Sequence, residues 1–405
     1  MTDTLKPRDG KDVEEAVRWA LAKGKTLEIV GHGTKRALGR PSQSDLTLDL
    51  SGLAGVTLYE PAELVLSAKA GTQLAEIEAL VAAHGQQLAF EPMDYGPLFG
   101  APAAAGTLGG ALAANLAGPR RIQAGAARDH FLGVVAVSGR GETFKSGGRV
   151  VKNVTGYDLC KLLAGSFGTL AVMTEVTIKT LPKAETEETV IVSGLNDPRA
   201  GAAMTAAMGS SCHVSGAAHL PGHVAYRFDG LTAQQAATVF RLEGVAPSVK
   251  HRKEALAALL RPFGPVAHLD AQNSRALWRS VRDATPLIAS GPSGERPLWR
   301  VSTAPSRGCE IANLIPPSAE MFYDWAGGLI WIAPLPTYDG GAEPVRQAVA
   351  ALGGHATLVR APAALRASAD VFQPQDAVLA ALTKRVKESF DPNGVLNAGR
   401  MWAGV

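Results

Sequence analysis

Residues 101–121 read APAAAGTLGGALAANLAGPRR, and residues 147–175 read GGRVVKNVTGYDLCKLLAGSFGTLAVMTE. Glycine and alanine side chains leave the backbone uncovered, so main-chain N–H groups in such a stretch can approach a ligand closely. Clustered N–H donors favour an anion, and above all a phosphate. The sequence therefore predicts a binding site for a phosphorylated cofactor in this part of the chain.

A shorter glycine segment lies nearer the start of the chain. The apolar run Leu27–Val30 predicts a strand, and residues 31–36, GHGTKR, follow it directly. The spacing excludes the dinucleotide fingerprint GxGxxG, because Arg36 stands at its sixth position. The P-loop pattern fails as well, because Phe144 stands where it requires a glycine. An ordinary Rossmann or NTPase site is thus disfavoured.

Length and composition limit the class of protein. The chain has 405 residues, of which 46% are apolar and 19% are charged, as in globular proteins. This length predicts two domains, each large enough for its own core. The formal net charge is only +3, and we interpret the densest basic run, KHRK at 250–253, as a solvated surface. We therefore expect no nucleic-acid partner.

The cysteines and the N-terminus give two further exclusions. Cys160, Cys212 and Cys309 form no CxxC or CxxxC pattern, so they cannot supply the ligands of an iron–sulfur cluster or a structural zinc ion. We expect no metal, and an odd number of thiols argues against a disulfide framework. The charged sequence MTDTLKPRDGKDVEEAV lacks the apolar core of a signal peptide, so the expected location is the cytoplasm.

Apolar periodicity predicts the main elements of the first half. Helical spacing over 12–22, ended by Gly24, predicts an amphipathic helix, and 73–84, ended by Gly85, predicts a second one. The runs that predict strands further on are Phe131–Val137, Thr143–Phe144 and Ala171–Thr180.

A change in composition follows Leu181-Pro182, where the charged run KAETEE begins. The expected organisation is a first domain over 1–183, a second of α+β class over 184–385, and a C-terminal segment over 386–405 that returns to the first domain. The patterns in the later part predict strands at Val190–Val192 and Ala225–Phe228, a helix over 232–242, and a last helix over 375–389.

Two glycine segments in this order resemble the PCMH-type, or vanillyl-alcohol-oxidase-type, family of FAD-linked oxidases. The resembling blocks are, in order, TLGG at 107–110, TGYDL at 155–159, GSFGTL at 165–170 and TE at 174–175. The closing segment DPNGVLNAGR at 391–400 is also similar, although Ala398 and Arg400 stand where proline and lysine are more usual. The resemblance implies fold class α+β, with a two-lobed FAD-binding domain followed by a cap domain.

The resemblance implies FAD as a noncovalently bound cofactor. Relatives that bind flavin covalently have the linking histidine at the position of Gly33, whereas this chain has its histidine one residue earlier, at His32. Segment 168–172 is expected along the adenine. The cofactor-binding residues that we expect are Gly31, His32, Gly33, Thr34, Lys35, Gly106, Thr107, Leu108, Gly109, Gly110, Asn115, Asp129, Gly156, Gly168, Leu170, Val172, Asn397 and Arg400.

Oxidation of a 2-hydroxy acid requires a base for the hydroxyl proton and cations for the carboxylate. Hydroxy-acid dehydrogenases of the family carry a histidine pair, HxH, and no two histidines of this chain are separated by one residue. His219 and His223 have helical spacing, but Pro221-Gly222 between them disfavours a shared metal ion. The base stays unidentified, and the candidates for the catalytic site are Arg282 and Arg300.

Arg275, Arg279 and Arg282 share one face of a predicted helix. Three interpretations of this face stay open, namely contact with a partner, binding of a substrate carboxylate, and a solvated basic surface.

Other blocks resemble one group within the family, the FAD-binding subunits of bacterial glycolate oxidases. These blocks are GPRR at 118–121, GAARDH at 125–130, PLWR at 297–300 and DWAGGL at 324–329. The resemblance implies a complex with a sister FAD-binding subunit and an iron–sulfur subunit, in which glycolate is oxidised to glyoxylate. Attachment to the inner membrane would come through those partners.

Three alternatives for the function stay open. The chain is an FAD-bearing subunit of a glycolate oxidase complex, an autonomous FAD-dependent 2-hydroxy-acid dehydrogenase, for D-lactate as an example, or a noncatalytic assembly subunit. The missing histidine pair weighs against the second, and the complete glycine blocks weigh against the third.

Overall fold

The computed structural model describes residues 3–41, 43–150, 156–231 and 235–405, so Thr155 of the TGYDL block lies outside the described residues. The strands are β1 (Asp3–Leu5), β2 (Leu27–Val30), β3 (Leu46–Asp49), β4 (Val56–Glu60), β5 (Val65–Lys69), β6 (Gln86–Gln87), β7 (Phe131–Ser138), β8 (Thr143–Gly147), β9 (Ala171–Lys179), β10 (Leu181–Pro182), β11 (Thr186–Ser193), β12 (Gly216–Leu220), β13 (Ala237–Gly244), β14 (Val266–Leu269), β15 (Leu298–Ser302), β16 (Glu320–Asp324), β17 (Leu329–Ala333) and β18 (His355–Arg360).

The α-helices connect these strands and cover the sheets. They are α1 (Gly10–Lys23), α2 (Leu74–Ala83), α3 (Leu108–Ala113), α4 (Arg121–Ala124), α5 (Ala127–His130), α6 (Leu159–Leu163), α7 (Asp197–Met208), α8 (Gly222–Ala225), α9 (Ala246–Leu260), α10 (Ala271–Arg282), α11 (Gly308–Asn313), α12 (Ala342–Leu352), α13 (Ala363–Ser368) and α14 (Ala377–Phe390). Within the described ranges, none of the helices is both long and apolar enough to cross a membrane.

Helix α1 confirms the first helix prediction and shows its local causes. The side chain of Asp9 accepts hydrogen bonds from the N–H groups of Lys11 and Asp12, which would otherwise lack partners at a helix start. The helix ends at Gly24, whose left-handed backbone (φ 59°) glycine adopts without a side-chain clash. The apolar stripe of α1 is buried against the first sheet.

The first half of the chain forms two main sheets and one two-stranded antiparallel pair, β10 with β6. Strands β1, β3 and β2 are parallel neighbours in that order, and β4, β5, β9, β7 and β8 form an antiparallel five-stranded sheet. One core cluster contains side chains from both sheets, among them Leu27, Leu48, Val137 and Val172. The turn 31–36 leaves β2 beside this junction, so packing of the two sheets determines its position.

The second half is built on one antiparallel eight-stranded sheet. Its strand order is β14-β11-β13-β12-β16-β17-β15-β18, and helices α7, α9 and α10 pack against it. Together with the sheets of the first half, this arrangement gives the predicted α+β class.

Two element predictions in this half are wrong. Residues 237–242 were expected in a helix and instead form the buried part of β13, an inner strand whose apolar residues are covered on both faces and so do not alternate. Residues 232–234 of that prediction lie outside the described residues. Ala225–Phe228, expected as a strand, begins with the last residue of α8.

The end of the chain returns to the first sheet. Leu27 pairs with Leu396, and the N–H group of Leu27 donates to the carbonyl oxygen of Val395. A buried ion pair secures the return, because Lys387 Nζ lies 2.7 Å from Asp391 Oδ2 and also donates to two main-chain oxygens. The pair links α14 to the closing segment.

Lys387→Met should lower the free energy of unfolding by about 3–5 kcal/mol, because it leaves the buried carboxylate of Asp391 without its counter-ion. Urea unfolding followed by circular dichroism measures this difference. Lys384→Met is the matched control on the same helix, since the Lys384 side chain is 73% exposed and lies 3.9 Å from Glu388. Equal effects of the two substitutions would contradict a structural role for the buried pair.

Candidate functional site

A groove follows the end of β2 and the start of α3. Ten of the expected cofactor-binding residues line it, namely Gly31, His32, Gly33, Thr34, Lys35, Thr107, Gly109, Gly110, Gly168 and Arg400. Their side chains and backbone come from four segments that are distant in the sequence. The structure thus brings both predicted glycine segments and the closing segment to one place.

The turn after β2 offers main-chain donors to the groove. None of the N–H groups of residues 31–35 donates a hydrogen bond to another described residue. Gly33 has a left-handed backbone (φ 72°), which lets the chain reverse direction there. A Cβ atom at Gly31 would lie 2.7 Å from Thr107 Oγ1, so only glycine fits at this close approach. The turn can therefore hold an anion with several N–H groups.

The second glycine segment differs from the expectation. The N–H groups of Leu108 and Gly109 donate to the carbonyl oxygens of Thr72 and Ala70, and the N–H group of Gly110 donates to Thr107 Oγ1. These N–H groups are therefore occupied within the protein. A Cβ atom at Gly109 would lie 2.8 Å from Ala70, so this glycine permits close packing of α3 on the chain after β5.

Two cations give the groove a positive character. Burial lowers the pKa of Lys35 to about 8, and its Nζ has one described hydrogen-bond partner, Thr34 Oγ1 at 3.3 Å. Arg400 donates to the carbonyl oxygen of Lys35 at 2.7 Å, while its buried Nε has no partner among the described residues. No carboxylate of the described residues lines the groove. Free N–H groups, an unsatisfied guanidinium atom and a buried amine fit the diphosphate of FAD.

The exposed His32 also lies at this groove, with its Nδ1 3.4 Å from Gln73 Nε2. Noncovalent attachment of the cofactor remains our expectation for this position.

The other expected cofactor residues lie behind the groove or away from it. Leu170 and Val172 are buried, the latter in the core between the two sheets, and the side chain of Asn397 connects the N–H group of Ile29 to the carbonyl oxygen of Phe167. Asn115 lines an adjoining cavity instead. Four others line neither space, namely Gly106, Leu108, Asp129 and Gly156.

A cavity of about 490 Å³ adjoins the groove and shares Ala114 and Phe167 with it. Its polar wall carries Arg121 from α4, Arg300 from β15 and His355 from β18. The two guanidinium groups and the imidazole make no hydrogen bond or ion pair with the described residues, and no described carboxylate lines the cavity. Such an excess of unpaired cations is suited to an anionic ligand.

The electrostatics of this wall reflect the crowding of positive charge. Burial, and after it the charge of Arg300, lowers the pKa of Arg121. His355 is exposed at the cavity mouth, yet partial desolvation by its neighbours, and after it the charges of Arg300 and Arg121, also lower its pKa. The imidazole is therefore neutral at neutral pH and able to accept a proton.

Sheet pairing explains how these residues meet. In the antiparallel pair β15–β18, Arg300 lies opposite Thr357, and Ser302 lies opposite His355. All four line the cavity, as does Val359 two residues further along β18. The alternation His355, Thr357, Val359 in the sequence indicates a shared face. Only the strand pairing shows that this face adjoins Arg300.

The two candidates for the catalytic site are not brought together. Arg300 lines the cavity, whereas Arg282 lines a second cavity of about 320 Å³ and forms a bidentate pair with Asp283, at 2.8 and 2.9 Å. Arg275 and Arg279 line the same second cavity. Sequence reasoning missed Arg121 and His355 as residues of the site. Arg121 stands in the GPRR block, which indicated the family but no role for this arginine, and His355 lies in no motif that marks it as functional.

Comparison with known proteins agrees with this geometry. A family model described as an FAD binding domain matches residues 4–147. The chain is 33% identical to the glycolate oxidase subunit GlcE of Escherichia coli over 394 residues, which cover 96% of each protein. It is 40% identical to the glycolate oxidase subunit GlcD of Bacillus subtilis over 85 residues, or 21% of this chain and 18% of that protein. It is 31% identical to a D-lactate dehydrogenase of Archaeoglobus fulgidus over 180 residues, which cover 44% of this chain and 38% of that protein.

Solved structures show the same fold at low identity. p-Cresol methylhydroxylase superposes with a TM-score of 0.69 at 11% identity, covering 98% of this chain and 88% of that one. Alkyldihydroxyacetonephosphate synthase superposes with a TM-score of 0.69 at 14% identity, covering 97% of this chain and 76% of that one. The chain therefore belongs to the family of FAD-linked oxidoreductases that contains the glycolate oxidase subunit GlcE, and it binds FAD.

Proposed function

We propose that this chain is the FAD-bearing subunit of a glycolate oxidase complex, and that it oxidises glycolate or a similar 2-hydroxy acid in its own cavity. One observation carries the proposal. Arg121, Arg300 and His355 surround a space without lining carboxylates, and this space meets the groove at Phe167. The names of the relatives, glycolate oxidase subunit and D-lactate dehydrogenase, support the same class of substrate.

In this proposal the groove holds FAD noncovalently. The N–H groups of 31–35 and the side chains of Lys35 and Arg400 bind the diphosphate, and Thr34 and Thr107 add hydroxyl groups. Gly109, Gly110 and Asn397 act indirectly, because they hold the walls of the groove in position. The bound flavin supplies the acceptor for the two electrons that leave the substrate.

The cavity residues bind and orient the substrate. Arg121 and Arg300 bind its carboxylate by charge-assisted hydrogen bonds, which fix the position of the hydroxyl-bearing carbon. His355 accepts the hydroxyl proton, since its lowered pKa keeps the imidazole neutral. This arrangement favours turnover by the chain itself over a noncatalytic assembly role, although the chain lacks the HxH pair.

The first two turns of α14 form an exposed apolar surface that supports the proposal of a partner subunit. Residues 377–382, AVLAAL, are apolar and all exposed, with Val378 82%, Leu379 46% and Leu382 48% exposed. A helix that is apolar on every side is normally buried. Leu379 also lines the cavity, so this surface lies at its rim. The iron–sulfur subunit is the proposed occupant, because an acceptor of flavin electrons must approach the flavin cavity.

Lys35→Met should weaken FAD binding about 10- to 100-fold, because a charge-assisted hydrogen bond to phosphate contributes about 1.5–3 kcal/mol. Quenching of FAD fluorescence on addition to the apoprotein measures the dissociation constant. Lys25→Met is the control, since Lys25 pairs with Asp45 and lines no part of the groove.

The affinity for FAD should also decline as the pH rises through about 8 in the wild type. Below this pH the free protein already carries the Lys35 charge, whereas above it binding must take up a proton. The pKa of Lys35 is lowered by burial, while Asp94 raises it and Arg400 lowers it further. Lys35→Met should lack this step in affinity, and a step retained in the variant would contradict the assignment.

His355→Asn should slow reduction of bound flavin by glycolate about 10²- to 10⁴-fold, as expected for loss of a general base. Stopped-flow absorbance of the FAD-loaded chain under anaerobic conditions measures the rate constant. In the wild type this rate should persist to below about pH 6.5, the ordinary histidine pKa, because the pKa of His355 is lowered.

The exposed His251 of α9 supplies the control His251→Asn. An unchanged rate in His355→Asn would exclude this base. Faster reduction by D-lactate than by glycolate would favour the autonomous dehydrogenase instead.

The double variant Val378→Lys, Leu382→Lys should abolish co-purification with the iron–sulfur subunit and leave FAD content unchanged, because two charges would be buried in an apolar interface. Leu259→Lys, on the 39% exposed Leu259 of α9, is the matched control. Loss of the sister FAD-binding subunit alone, with the iron–sulfur subunit retained, would show that the occupant is wrong.

A further inference from the structure

Trp325 contacts both arginines of the cavity wall. The guanidinium carbon of Arg121 lies 4.6 Å from the centroid of its ring, and that of Arg300 lies 4.9 Å away. Trp325 also lines the cavity, although the residue is only 5% exposed. The indole is therefore the common neighbour of two cations that have no described anionic partner.

Two unpaired guanidinium groups near each other repel, and burial adds to the cost. The direction of this effect is visible at Arg121, whose pKa is lowered by burial and then by Arg300. The electron-rich face of an indole attracts a cation and attracts it more strongly where water is excluded. Trp325 can therefore stabilise both side chains without neutralising them, which leaves their charge available to a ligand.

The backbone that carries Trp325 is strained and firmly held. Trp325 and Ala326 have left-handed backbones, with φ 52° and φ 56°, a conformation that costs energy for residues other than glycine. The N–H group of Trp325 donates to the buried carboxyl of Asp324 at 2.7 Å, and its ring Nε1 donates to the carbonyl oxygen of Gly118 at 2.9 Å. Such strain persists only where surrounding contacts determine the conformation.

We infer that Trp325 is a positioning residue that holds Arg121 and Arg300 together at the cavity wall for recognition of a substrate carboxylate. The identity of the ligand as a carboxylate rests on the proposed function. The role of Trp325 itself rests on the two contacts with the arginines, on the strained backbone, and on the hydrogen bond to Gly118 that precedes Arg121 in the chain.

Binding of oxalate, a carboxylate that cannot be oxidised as a 2-hydroxy acid, tests this inference without turnover. Isothermal titration of the FAD-loaded full chain should show binding about 5- to 30-fold weaker in Trp325→Leu, with a smaller loss in Trp325→Phe, which keeps an aromatic face. In glycolate oxidation, Trp325→Phe should raise KM by about the factor by which it weakens oxalate binding. It should change kcat little, because carboxylate contacts stabilise ground and transition states alike.

Trp299→Phe is the matched control. Trp299 is also buried, has Arg346 over its ring at 5.0 Å and donates from Nε1 to Gly340 at 2.8 Å, but it does not line the cavity. The substitution Trp299→Phe should lower the free energy of unfolding and leave the affinity for oxalate unchanged.

Arg300→Met distinguishes a failure of the positioning role of Trp325 from a failure of the proposed carboxylate site. If Arg300→Met weakens oxalate binding and the Trp325 variants do not, the positioning role is wrong and the carboxylate site stands. If none of these variants changes oxalate binding, the carboxylate site itself is wrong, and the inference about Trp325 fails with it.

Discussion

The buried ion pair between Lys387 and Asp391 orders the segment by which the end of the chain returns to its beginning. Asp391 accepts the N–H groups of Val395 and Leu396, so one carboxylate orders the segment that pairs with Leu27. An ion pair without access to water is stable only when its remaining hydrogen-bonding positions are filled, as they are here by main-chain groups. The groove depends on this closure, because Asn397 and Arg400 follow directly and contact two of its walls.

Separation of charges is the second constraint, and neighbouring residues illustrate it. Arg120 forms ion pairs with Glu91 and Glu243, and the buried Arg241 joins the same network. Arg121, the next residue, has no such partner and faces the cavity. Glu91 and Glu243 are therefore paired with Arg120 and Arg241 on one side of this segment. The opposite side, where Arg121 faces the cavity, stays positive. An anionic substrate meets positive charge there, and no described carboxylate lines the cavity.

Residues 324–326 combine a buried carboxyl with a strained, left-handed backbone. Burial raises the pKa of Asp324 to about 7, so this carboxyl does not place a full negative charge beside the arginines at neutral pH. It still accepts the N–H group of Trp325 and supports the left-handed backbone that follows. The wall of the cavity thus combines the ring of Trp325, held by its hydrogen bonds, with Arg121 and Arg300, which both contact that ring.

How much of the site could be predicted varies with the residue. Gly31 and Gly33 were recognisable because a strand leading into glycines has local backbone requirements that the sequence displays. Val172 was expected along the cofactor, yet it is buried in the core while Ala171 and Met173 line the groove, since alternate residues of β9 face opposite sides and the choice of side depends on the partner sheet. Leu170, directly before β9, is buried as well. Arg282 shared its helical face with other arginines, but that face lines a different cavity.

The sequence by itself determined the α+β class, the glycine turn at 31–36, and the family to which the chain belongs, because each rests on residues close together in the chain. Only the tertiary structure decided that Arg121, Arg300 and His355 share one cavity. These residues lie on α4, β15 and β18, and their meeting depends on strand pairing and packing across the whole molecule. Contacts of that kind leave no local periodicity, and for this reason the base that the sequence did not identify became a candidate only in the folded chain.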